Sequence, residues 1–171
     1  MRRSIVAALV IALAPAAACA GGAPTDPQIA HIAYTAGELD IKAAQQALAK
    51  SKNDAVRAFA DNMVKDHTAV NVKALALVKK LHVTPEDNDT SRSLTSDAEK
   101  TRAALAKLSG AAFDKAYVDN EVAYHKTVNG ALAGTLIPSS QNGELKQLLQ
   151  TGLKIFQGHE QHAEHLAGEL H

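Results

Sequence analysis

The stretch Phe59 to Leu81, FADNMVKDHTAVNVKALALVKKL, decides the fold. Counting from Val56, the residues Ala60, Met63, His67, Val70, Ala74, Leu77 and Leu81 follow at alternating steps of four and three. That spacing marks one buried stripe on an α-helix packed inside a bundle. His67 stands in the middle of the stripe. An imidazole there must be hydrogen-bonded, bound to a metal, or held at a desolvation cost.

The rest of the chain repeats the helical pattern. Upstream, a helix is expected over about Pro27 to Lys50, with Asp26 as its cap, Pro27 at its first position, and a stripe of Ile29, Ile32, Ala36, Leu39, Ala43 and Ala47. Tyr34, Glu38, Ile41 and Leu48 flank that stripe, so Glu38 borders the buried face. The helix carrying His67 should run from about Asp54 to His82. A polar connection through Pro85 leads to a shorter helix over about Ser93 to Leu108, which Ser109-Gly110 breaks. A third long helix, about Ala111 to Leu136, aligns Val118, Glu121, His125, Val128 and Leu132. After a turn at Pro138 to Gly143, a fourth spans about Glu144 to Leu170 with Leu145, Leu149, Gly152, Phe156, His159, Ala163, Leu166 and Leu170 in line. Four long amphipathic segments, no alternating strand pattern, three Phe, three Tyr and no Trp make the expected class all-α, an antiparallel four-helix bundle with an extra short helix before the third long one.

Residues 1–20 read as a cleaved signal peptide: Arg2 and Arg3, an apolar centre from Ile5 to Leu13, and a small-residue exit at Ala16 to Ala20. That apolar run is too short for a permanent membrane span. Residues 21–26 form a tether, and 27–171 the folded domain. Export to the periplasm or cell envelope follows. Cys19 is the one cysteine of the 171-residue chain; it either accepts a lipid anchor or is removed with the leader. In both cases the domain has no disulfide. Setting aside Arg2 and Arg3 leaves 16 basic against 18 acidic residues. No basic stripe remains for phosphates, which excludes nucleic acid as a partner.

The candidate chemistry lies on the inner stripes. Glu38, His67, His125 and His159 come from four helices, and their residue counts from the turns place them near one depth. One Glu and three His form a mixed donor set for a divalent transition metal such as Zn, Fe, Mn or Cu. Glu121, four residues before His125, shares its face and is either a further ligand or the acceptor that orients the ring. Asp66 points about 100° away from His67 and is the poorer ligand. The alternative is that these histidines are core side chains bonded to Glu38, Glu121, Tyr34, Tyr117 or Tyr124. Shared coordination requires the three imidazoles within about 5 Å of one another. His162, His165 and His171, near the end of the last helix, read as surface decoration of its negative pole.

Taken together, TAGELDIKAAQQAL around Glu38, VRAFADNMVKDHTAVN around His67, LSGAAFDKAYVDNEVAYH through His125 and the helix of His159 resemble the domain of unknown function 4142 family. The resemblance covers about Gln28 to Leu166. It implies an exported bacterial protein with a ferritin-like four-helix fold, of a kind described only as membrane or outer-membrane proteins. Ferritin-like di-iron sites require Glu-x-x-His on two helices. Here Val64 precedes His67 and Phe156 precedes His159 at those positions, so the bridging carboxylates of a di-iron centre are missing. A mononuclear site or none fits better. No nucleophile motif, phosphate-binding glycine loop or reactive thiol is present. The reading is an envelope protein holding one metal in a stress or metal-handling role. The alternative is a non-catalytic structural or interaction protein with an unknown protein or envelope partner.

Overall fold

The computed structural model describes residues 22–170, and the leader and Cys19 lie outside them. The chain is all-helical: α1 (Asp26–Lys50), α2 (Asp54–Lys80), α3 (Asp89–Ala106), α4 (Gly110–Ala131), a π-helical segment (Leu132–Leu136), the single turn α5 (Ile137–Ser139) and α6 (Gly143–Glu169). Asparagines start three of the helices. Asn53 accepts from the backbone of Ala55 and Val56, Asn88 from Ser91, and Asn142 from Glu144 and Leu145, each satisfying donors that a helix start leaves open.

Several boundaries differ from the sequence expectation. Thr25, not Asp26, precedes α1; Asp26 is its first residue, and its carboxylate accepts instead from the backbone of Gln141 and Asn142, at 2.9 and 2.8 Å. That contact ties the start of α1 to the start of α6. The second helix stops at Lys80, before His82 turns to a positive φ of 53°. The third segment begins earlier, at Asp89, because Asn88 caps it. At Ser109-Gly110 the expected break occurs, with Gly110 at φ 56°, a conformation that glycine adopts without a Cβ penalty.

Helices α1 and α2 pack along their length, as do α4 and α6; α2 also meets α6, and α1 meets α4. Lys80 near the end of α2 reaches Glu144 near the start of α6, so those two run in opposite directions. α3 lies along α1 and runs the same way. Asn88 near its start bonds Gln28, and Gln46 and Lys50 donate to the carbonyls of Arg102 and Ala106 near its end. It thereby carries the chain back from one end of the molecule to the other before α4 begins.

The interior has two parts. Phe59, Ala60 and Met63 of α2, Ala44 and Ala47 of α1, Phe113, Tyr117 and Val118 of α4, and Ala163 and Leu166 of α6 fill one end. Ile29, Ile32, Leu132, Leu136, Leu145, Leu149 and Phe156 line the other. Polar side chains separate them at mid-depth. Among the described residues no helix is long and apolar enough to cross a membrane.

Candidate metal centre

His67 of α2, His125 of α4 and His159 of α6 converge between the two apolar clusters, 2, 1 and 7 % exposed. Their ring centroids lie 5.3 to 5.8 Å apart, and one ring nitrogen from each lies within 4.8 Å of the others. A tetrahedral ion with bonds of 2.0–2.1 Å would hold its ligand atoms about 3.4 Å apart. A modest contraction therefore brings the three nitrogens onto one ion.

The fourth helix supplies Asp40 at the centre, where the sequence pointed to Glu38. Asp40 is 2 % exposed, and its Oδ2 lies 3.1 Å from His67 Nε2 and 3.4 Å from His125 Nε2. Glu38 is half-buried and turned away; its Oε1 accepts from Asn71 Nδ2 at 2.9 Å. The two residues are two apart, about 200° around the helix, so only one can face the centre. Asp40 falls four residues after Ala36 and four before Ala44, on the same small-residue face. That i, i+4 relation was the available signal, and the equally good line through Leu39 obscured it.

Glu121, 1 % exposed, lies against His125. The ring's Nδ1 is 2.9 Å from the Glu121 carbonyl and 3.7 Å from its Oε2. Asp40, Glu121 and His125 form a second group of donors within 4.8 Å, sharing His125 with the first.

Hydrogen bonds assign the ring nitrogens. His125 Nδ1–H donates to the Glu121 carbonyl, which leaves the Nε2 lone pair free toward Asp40. His159 Nε2–H donates to Asp66 Oδ2 at 3.0 Å, leaving Nδ1 buried with no partner. Asp66 therefore orients His159 across the α2–α6 contact. Both nitrogens of His67 and both oxygens of Asp40 lack a well-aligned hydrogen bond despite their proximity. Phe156 stacks on the His67 ring at 4.4 Å and 5°, fixing its plane. The hydroxyls of Tyr117 and Tyr124 do not bond the histidines: Tyr124 donates to the Ala36 carbonyl at 2.7 Å, and the Tyr117 hydroxyl has no partner.

Electrostatics favours lone pairs over protons. Burial lowers His125 against the pull of the Asp40 charge. Burial also lowers His159 to about 4, although the bond to Asp66 opposes it. For Asp40 burial alone acts upward, but the neighbouring His67, then His125 and His159, hold it below the usual carboxylate range. Burial and the Asp40 charge push Glu121 well above its usual value. His125 and His159, lowered by burial, beside an Asp40 carboxylate held below its usual range supply lone pairs of the kind that bind a divalent transition metal.

The outer histidines stand apart. His162 is exposed with its ring edge against Phe59, and His165 pairs with Glu169 at 3.4 Å on the surface. His171 lies outside the described residues.

An all-helical protein with a buried, convergent His and carboxylate cluster is the class that fold and site define. Residues 12–166 match the family model described as Domain of unknown function (DUF4142), and the chain belongs to that family. No curated protein and no solved structure matches it.

Proposed function

We propose that the protein is exported to the periplasm or cell envelope and holds one divalent transition metal at His67, His125, His159 and Asp40, in a metal-handling or stress role. The observation that carries this reading is a pair of buried donor triads sharing His125, one of His67, His125 and His159 and one of Asp40, Glu121 and His125, with nitrogens and oxygens that the protein leaves without aligned hydrogen-bond partners. Unsatisfied polar atoms in a core are costly, and a bound cation would satisfy several of them at once. Glu121 and Asp66 act as the acceptors that orient His125 and His159. Glu38 is assigned to the Asn71 contact.

The fold reading that accompanies it is a ferritin-like antiparallel four-helix bundle. Its support is the connection through α3, which returns the chain so that α1–α2 and α4–α6 form two hairpins joined by one long crossover. Export rests on the basic, apolar and small-residue succession of residues 2–20, with Cys19 as a potential lipid anchor.

Elemental analysis of the mature protein, exported natively without a histidine tag and exposed in turn to Zn, Cu, Fe and Mn, tests the metal reading. About one ion per chain is expected with the preferred metal, and His67→Ala should abolish it. Metal well below one per chain in all four cases would sink it. One observation favours the second reading, an envelope structural or interaction protein whose core histidines are only hydrogen-bonded: His125 and His159 each already have one partner. In that case the triple change of His67, His125 and His159 to Gln leaves the cellular phenotype intact.

A further inference from the structure

The end of the molecule where α1 begins and α2 ends is not filled. A cavity of about 720 Å³ lies there between α1, α2, α4, the π-helical segment and α6, a volume in the range of small-molecule sites. The opposite end, packed with Phe59, Phe113 and Tyr117, provides the contrast. The walls are mainly aliphatic, as at Ile32, Ala33, Ala74, Leu132 and Leu149. The inner limit is formed by His67 and His125, and the outer reaches the exposed residues Gly22, Ala23, Asp89 and Thr90. Along α1 it extends from Gln28 to Gly37, about 14 Å at 1.5 Å per residue.

Mainly aliphatic between the His67–His125 end and a mouth that carries Gln28, Asn88, Asp89 and Thr90, this space matches an amphipathic molecule with one alkyl tail. Asn71, a polar residue of the wall, already donates to Glu38. Aliphatic walls also give water few partners. At the inner end, His67 is 2 % exposed and both its ring nitrogens lack a hydrogen bond.

We propose that the cavity binds a long-chain carboxylate, its alkyl tail between α1, α2 and the π-helical segment and its head at the His67–His125 end, as a fifth ligand of the ion held there. This assignment rests on the metal reading above, because a carboxylate oxygen is a ligand for a divalent transition metal, whereas without the ion the head would face Asp40. Tail burial supplies the affinity, and the head sets the direction of entry.

The test uses the full mature chain, cleared of bound lipid on a hydrophobic resin, with its metal content measured first. Metal-loaded protein is then titrated calorimetrically with palmitate and, for comparison, with hexadecanol, which has the same tail and a neutral head. One palmitate per chain is expected, bound more tightly than hexadecanol, with that preference lost after the metal is stripped. Ala33→Trp and, as a second variant should the first fail to fold, Ala74→Trp fill the cavity without touching a ligand. Each should keep its metal and weaken palmitate binding by about tenfold or more, the loss expected when even two methylenes are kept from apolar contact. Metal-loaded protein that binds no palmitate overturns this proposal alone. So does palmitate binding that both tryptophan variants leave unchanged, or a dimer that closes the cavity against it. A chain that takes up no metal overturns the metal reading and this one together, and the elemental analysis tells the two failures apart.

Discussion

The carboxylate of Asp40 stands 3.1 Å from Nε2 of His67, yet the pair is not aligned as a hydrogen bond, and both side chains are almost fully buried. Such an arrangement is poor for a self-sufficient ion pair and suited to two ligands of one ion. Asp40→Asn should therefore lower metal affinity by more than about 100-fold, beyond the range typical of groups that only orient a ligand. Stripped of metal, the same variant should melt below the parent's temperature near neutral pH, because the neighbouring histidines hold the Asp40 carboxylate below its usual range and lose that partner in the variant. Glu38→Gln should leave metal stoichiometry unchanged. Elemental analysis, competition titration and thermal melts of the three proteins check this. If Glu38→Gln loses the metal while Asp40→Asn keeps it, the ligand assignment is reversed.

Asp66 reaches His159 from the neighbouring helix at 3.0 Å while remaining partly open to solvent. Its role is to hold the ring with Nδ1 facing inward. Asp66→Asn should weaken metal binding by about 10- to 100-fold without abolishing it. A chelator competition series measures the difference. Parent-like affinity would mean that His159 is positioned by packing alone.

Gly37 makes a prediction about packing. A Cβ built there would sit 2.5 Å from Asn71 Oδ1 and 3.0 Å from Nδ2. Asn71 would have to move and release its bond to Glu38. Gly37→Ala should destabilise the protein by about 1–3 kcal/mol, despite the usual gain from replacing a mid-helix glycine. Gly158, also mid-helix, has nothing within 4 Å of its Cβ position. Gly158→Ala should stabilise by about 0.5–1 kcal/mol. Denaturant midpoints of the two variants should move in opposite directions.

The pH dependence of the metal-free protein carries a signature of His159. Burial holds its folded pKa at about 4, below the usual 6.5. A depressed histidine binds protons more readily when unfolded, so its contribution is complete above about 6.5 and lost as pH falls toward 4. His125 acts in the same sense, whereas the raised Glu121 acts in the opposite one. The parent slope is thus a sum, and the informative quantity is a difference. His159→Gln should flatten the acid-side loss of stability between about pH 6.5 and 4 relative to the parent. Stability curves in chelator that run parallel over that window would show the imidazole to be solvated.

Much of the helical layout was legible because it is local. The four-three stepping from Val56 to Leu77 matches α2, and the stripe from Leu145 to Leu166 matches the buried face of α6. The helix ends were read less well. Asp26 looks like a cap for its own helix but bonds Gln141 and Asn142, residues more than a hundred positions away, which no local pattern announces. The π-helical turn at Leu132–Leu136 was likewise read as continuous α-helix up to Leu136.

At the candidate site, the sequence by itself determined that His67, His125 and His159 occupy buried stripes, since helical periodicity alone places a residue on a face. Their meeting at one depth followed from residue counts between turns and short connections. Only the tertiary structure decided between Asp40 and Glu38. Both lie on α1 among alanines, whose small side chains mark no single face as innermost. The rotation of α1 about its own axis is set by how that alanine face packs on α2, α3 and α4, and this rotation puts Asp40 beside His67 and Glu38 beside Asn71.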